Sequence, residues 1–140
     1  MGRWQTFDHT ADLGLRIEGS DLPDLFRTAG EGLFEIILAN RDQVRPADQV
    51  TIVLAADSVE TLLVDWLNEL IFQSETGHCF FSRFDVNVDP DGLRLNAVAH
   101  GEPIDPARHI IDHEVKAATR HGVSVVHDQG AWTAELILDI

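Results

Sequence analysis

Val59-Glu60-Thr61-Leu62-Leu63-Val64-Asp65-Trp66-Leu67-Asn68-Glu69-Leu70-Ile71 settles the character of the fold. Val59, Leu62, Leu63, Trp66, Leu67, Leu70 and Ile71 recur at helical spacing, which stacks them on one face of an α-helix. Asp57 and Glu60 stand where a capping pair would start that helix. Asp65, Asn68, Glu69 and Gln73 fall on its outer face. A second helix is predicted upstream, from about Pro23 to Ala39. Asp21 can cap it and Pro23 suits its first turn. Its apolar stripe is Leu22, Leu25, Phe26, Ala29, Leu33, Phe34 and Ile37. Gly30 and Gly32 weaken it by roughly 1 kcal/mol each relative to Ala, a cost that marks close packing against a sheet.

Outside these helices the pattern is that of strands. Residues 4–7 and 13–18 flank a polar turn, and Leu13, Leu15 and Ile17 alternate with Gly14, Arg16 and Glu18. Residues 50–55 form another strand. Phe80 to Val88 and Leu93 to His100 flank Pro90-Asp91-Gly92, a hairpin turn in which Gly supplies the positive φ. Residues 113–119, 123–126 and 132–139 read as three more strands. The polar stretch 40–48 reads as a loop, and 103–110 as a loop or a short helical turn. The expected fold class is α+β: a single domain over residues 1–140, with a mixed β-sheet and two main helices on one face.

The chain has 140 residues, 44% of them hydrophobic, enough to fill one core. Twenty-four acids oppose ten bases, a net charge of −14. Such a surface repels phosphate backbones and anionic lipid, so direct RNA binding and membrane docking are disfavoured. It suits a cation binder or the partner of a basic protein surface. Cys79 is the single cysteine, which precludes an internal disulfide and fits a reducing compartment. With no secretory h-region at the N-terminus, the expected location is cytoplasmic.

Three groups of residues could carry chemistry. Asp8-His9-Thr10-Ala11-Asp12 puts two carboxylates and an imidazole in one turn, able to hold a cation or act as acid and base. The same residues would equally satisfy backbone N–H groups in a tight turn. At the other end stands Leu136-Ile137-Leu138-Asp139-Ile140. There strand alternation sets Ile137 and Asp139 opposite Leu136, Leu138 and Ile140. An acid in so apolar a strand is costly unless paired, coordinated or reaching water. With the α-carboxylate of Ile140 it offers hard oxygen donors. The third group is Glu102, Arg108-His109 and His113 to His121. It contains Lys116, the one lysine among ten bases. No Walker loop, G-x-G-x-x-G, G-x-S-x-G or zinc-binding H-E-x-x-H pattern occurs.

Asp8-His9-Thr10-Ala11-Asp12, Leu62-Leu63-Val64-Asp65-Trp66-Leu67-Asn68-Glu69-Leu70, Gly101-Glu102, Glu114-Val115-Lys116-Ala117 and Ile137-Leu138-Asp139-Ile140 together resemble the archease family. They occur in family order and span nearly the whole chain. The resemblance implies a non-catalytic activator of an RtcB-type RNA ligase, the enzyme that joins RNA ends in tRNA splicing and RNA repair. Archeases speed the guanylylation of that ligase on its own histidine and support multiple turnover. The resemblance also implies one divalent cation on oxygen ligands, Ca²⁺ first, with Mg²⁺ or Mn²⁺ as alternatives. Asp12 and Asp139 would hold it, with Ile140 as a backbone or terminal-carboxylate ligand. Lys116, with Asp8, His9 and Glu102, would belong to the activating surface. The chain departs from the family at Arg120, where many members carry Tyr. Two other readings remain open at this level: a metal-dependent phosphoester hydrolase using Asp8, His9, Asp12 and Asp139, and a general chaperone-like interaction domain.

Overall fold

The computed structural model describes residues 2–9 and 12–140, with His9 described by its backbone alone; Thr10 and Ala11 lie outside the described residues. The chain runs β1 (Arg3–His9), β2 (Asp12–Gly19), α1 (Leu22–Ile37), a 3₁₀ turn (Arg41–Gln43), β3 (Asp48–Ala55), α2 (Val59–Gly77), β4 (Cys79–Val88), β5 (Arg94–Pro103), β6 (Ala117–Asp128) and β7 (Ala131–Asp139). The α+β class and both helices are as expected. The strands are divided more finely than one mixed sheet: a four-stranded sheet in the order β1-β2-β7-β6, and a three-stranded sheet in the order β3-β5-β4. Every described pairing is antiparallel. A single apolar core joins the two sheets, because α1 packs on β2 of one and β4 of the other, while α2 packs chiefly on β6.

Local chemistry explains both helices. Asp21 is extended and its carboxylate accepts the Asp24 N–H at 2.8 Å, so α1 starts where a cap was expected. All seven residues of the α1 stripe are buried. A methyl group on Gly30 would meet the Phe84 ring at 3.3 Å, and one on Gly32 would meet Trp4 at 2.9 Å. The two glycines therefore let aromatic rings approach the helix backbone, which offsets their low helix propensity. The start of α2 lies one residue later than the sequence pattern implied. Ser58, not Asp57, is the cap, and its hydroxyl accepts the Thr61 N–H at 3.1 Å. Trp66 is fully buried, and its indole N–H finds the Phe26 carbonyl at 2.9 Å, tying the helices together.

Two further corrections concern the second half of the chain. The expected strands 113–119 and 123–126 are one strand, β6, interrupted by a register shift between Thr119 and Ser124. Residues 113–116 stay out of the sheet because the N–H groups of Asp112 and His113 turn to the Ile37 carbonyl at the end of α1. Asn68 does not belong to a solvated helix face. Its amide donates to the Ala118 carbonyl at 3.0 Å and accepts the Ala118 N–H at 2.8 Å, clamping α2 to β6. Asn68→Ala leaves the N–H and carbonyl of the buried Ala118 without these partners. It should lower stability by about 2 kcal/mol, read as a shift of the urea midpoint at unchanged m-value. Among the described residues no helix is long and apolar enough to cross a membrane.

Candidate functional site

The register of the four-stranded sheet decides which candidate residues meet. Leu13 pairs with Leu138, so the next residues outward, Asp12 on β2 and Asp139 on β7, stand on adjoining strands at the same sheet end. On the flanking strands His9 pairs with Asp12 and Ala117 pairs with Asp139. The end of β1, the start of β2 and the end of β7 thus lie together at one end of the sheet. Strand alternation explains why the acids are tolerated. Leu15, Ile17, Leu136 and Leu138 are buried against the helices, whereas Asp12 and Asp139 sit half-buried on the other face. That face also carries the Arg16–Glu135 ion pair, two rows inward. Asp139 is therefore not an acid lost in the core.

The row between is apolar. It runs Phe7, Gly14, Ile137, Thr119 across the four strands. The Phe7 ring covers Gly14, leaving no room for a side chain there, since a methyl group would lie 2.3 Å from it. Ile137 is buried at 7% exposure although it faces away from the helices. The Thr119 hydroxyl is buried with no hydrogen-bond partner among the described residues, a feature that no pattern of residues announces. Carboxylates on adjoining strands thus border a row whose centre, Gly14 and Ile137, is closed to water. Like charges directly across a sheet are destabilising unless an opposite charge joins them.

Other candidates reach the same edge from β6 and β1. The Lys116 N–H donates to the Asp139 carbonyl at 2.8 Å, fixing the lysine's backbone beside β7 while its side chain is exposed. Asp8 is exposed on β1, paired with Leu13. The side chain of His9 lies outside the described residues. Ile140 follows β7 and is 37% exposed, so its terminal carboxylate is next to Asp139 in the chain. Arg120, the departure from the family pattern, faces Asp65 of α2 at 3.8 Å.

Glu102 belongs to a different place. It is buried at the end of β5 in the three-stranded sheet, and its carboxylate is fully engaged. It accepts the Arg45 N–H at 2.7 Å, an Arg108 guanidinium N–H at 2.6 Å and the His109 Nε2–H at 3.0 Å. His109 accepts the Asp105 N–H at Nδ1, 2.9 Å, which assigns its proton to Nε2. The bond from Arg108, helped by those from Arg45 and His109, holds the Glu102 carboxyl down to about 2 from an ordinary 4.5, against the opposing effect of burial. This network anchors the start of the segment whose far end carries Lys116.

A divalent cation fits the donors at the sheet end by chemical type: two carboxylates, with the Ile140 carboxylate beside them, are hard oxygens of the kind Ca²⁺, Mg²⁺ and Mn²⁺ prefer. Among the described residues no group of three or more His, Cys, Asp or Glu side chains is placed to hold a metal.

Residues 4–140 match the model of the archease protein family (MTH1598/TM1083). Protein archease of Methanopyrus kandleri is 37% identical over 139 residues, covering 98% of this chain and 99% of that one. Protein archease of Pyrococcus abyssi is 33% identical over 143 residues, covering both chains fully. These relatives are named for the family and not for a reaction. The solution structure of protein 1598 of Methanobacterium thermoautotrophicum superposes with a TM-score of 0.83 at 33% identity, covering 98% of each chain. An archease from Thermotoga maritima, described as a possible chaperone, shares the fold with a TM-score of 0.65 at 17% identity, covering 97% of this chain and 96% of that one. Matched along nearly its whole length, the chain belongs to the archease family.

Proposed function

We propose that this chain is a non-catalytic activator of an RtcB-type RNA ligase and acts through a divalent cation held at the end of the four-stranded sheet. The observation that carries this reading is the Leu13–Leu138 register, which sets Asp12, Asp139, Ile140 and Lys116 at one edge. Asp12 and Asp139 would hold the ion with the Ile140 carboxylate, and Asp8, His9 and Lys116 would flank it on the surface presented to the ligase. The ion, when bound, would add positive charge between the two acids. The protein's share is positional. The sheet fixes the two strands, and the Lys116 N–H ties the lysine's backbone to Asp139. Glu102 would contribute from a distance, by anchoring the segment that delivers Lys116.

Activation requires no chemistry from the archease chain. A partner that binds the guanylylation-competent form of the ligase more tightly than the other form shifts the population by that difference in affinity. The acidic surface, at −14, complements a basic ligase face and speeds encounter. The test is guanylylation of an RtcB-type ligase by GTP, with and without the purified chain. A rise in initial rate of tenfold or more and turnover beyond one joining event per ligase are expected. No change in either, at saturating metal and GTP, would remove the ligase from the account. Hydrolysis of a phosphodiester by the chain alone would favour the enzyme reading instead.

A further inference from the structure

On the side of the molecule built by the helix ends, a groove of ≈ 580 Å³ is walled by Ile37, Ile71, Phe80, Ile104, Ile111 and Val115. That volume lies in the range of sites that bury a ligand or an anchoring side chain. Ile37, Ile71, Phe80 and Val115 form its buried floor, while Ile111, 61% exposed, and Ile104, 36% exposed, stand open at its rim. The groove is also preformed. The Ile104 N–H donates to the His78 carbonyl at 2.9 Å, the Ala39 N–H to the Ile110 carbonyl at 2.9 Å, and the Asp112 N–H to the Ile37 carbonyl at 2.8 Å. These bonds pin the 104–115 segment to both helix ends, so an occupant need not order it, which lowers the cost of binding.

The charges in the lining select the occupant. Glu75 and Glu114 line the groove with His78 and His113, and no lysine or arginine does. A second copy of this chain, itself at −14, would bring acid against acid. We propose that the groove docks an aliphatic segment flanked by lysine or arginine on the partner protein: the aliphatic side chain fills the cleft, and its basic neighbours meet Glu75 and Glu114. The segment His113-Glu114-Val115 lines the groove and leads directly into Lys116, so docking there is continuous with the sheet-end site. The identity of the partner rests on the activator reading; the chemistry of the groove does not.

Two arms test this. In the first, the chain labelled at its isoleucine methyls is titrated with a synthetic amphipathic peptide bearing leucines on one face and lysines on the other. Shifts at Ile37, Ile71, Ile104 and Ile111, weakened tenfold or more by Ile111→Asp and by Glu75→Gln/Glu114→Gln, are expected. Lysine peptide lacking leucine should give no shifts at these four residues. Shifts confined elsewhere, binding indifferent to Ile111→Asp, or concentration-dependent dimers that Ile111→Asp dissolves would overturn the proposal. The second arm uses the ligase. Ile111→Asp should raise the archease concentration for half-maximal stimulation tenfold while leaving the maximal rate intact. An unchanged half-maximal concentration overturns docking of the ligase there. If wild-type protein gives no stimulation at all, the activator reading fails, and the peptide arm still decides the groove.

Discussion

Asp139→Asn is expected to bring stimulation of ligase guanylylation down to the level of the ligase alone, with little loss of folded stability. The substitution keeps the shape of the side chain and removes one charge. Asp139 is half-buried at the end of β7, and its backbone carbonyl continues to accept the Lys116 N–H. The fold should therefore lose no more than about 0.5 kcal/mol, the usual range for a surface change away from the core. Binding of a divalent ion is another matter. Two unit charges ~4 Å apart at an effective dielectric of ~20 interact by about 4 kcal/mol. Removing one carboxylate from so small a donor set should weaken the ion on the order of a hundredfold or more. Asp12→Asn should behave alike, because it supplies the other half of the pair. The measurement is the initial rate of GTP-dependent labelling of the ligase, beside urea denaturation of each variant.

Glu102→Ala should do the opposite: a large loss of stability, and a smaller effect on stimulation in whatever fraction remains folded. Removing the carboxylate strands the His109 Nε2–H and the Arg45 N–H and takes one partner from the Arg108 guanidinium, which keeps Asp105 and the Gln43 carbonyl. Leaving the buried His109 donor without an acceptor, together with the lost bonds to Arg45 and Arg108, costs about 3 kcal/mol. The milder Glu102→Gln carries a pH signature. The folded-state pKa of Glu102 is depressed to about 2 from 4.5, so between those values the unfolded chain binds the extra proton. Its stabilisation is fully present above pH 4.5 and is lost as the pH falls toward 2. The stability gap between wild type and Glu102→Gln should therefore narrow across that window. Taking the difference cancels the other depressed acids, Asp24, Asp85 and Asp105. Urea midpoints of the pair from pH 6 downward provide the check.

The helices were legible because each carries its own evidence: a period, a cap and a stripe that all agree. The cap of α2 falls one position later than Asp57 because neighbouring Asp57 and Ser58 both have cap-forming side chains, and the backbone decides between them. The division of the strands into two sheets was not legible. Alternation tells which face a residue takes and says nothing of which strand lies beside it. The β6 irregularity hid for the same reason, since the break near Gly122 reads equally as a turn between two strands. At the candidate site, the charges of Asp12 and Asp139 were visible, and their separation of more than a hundred residues was closed only by the β2–β7 register. Asn68 and Glu102 both looked like surface or motif residues. Their partners, the Ala118 peptide groups and the Arg108–His109 pair, come from segments the helical and strand patterns do not connect to them.

The most direct measurement is calorimetric titration of the metal-free chain with Ca²⁺ and with Mn²⁺, comparing wild type, Asp12→Asn, Asp139→Asn and a chain extended beyond Ile140. One ion per wild-type molecule, at least a hundredfold weaker in each Asn variant and weaker in the extended chain, is the predicted result. Equal stoichiometry and affinity in wild type and both Asn variants would contradict a cation shared by the first turn and the last strand.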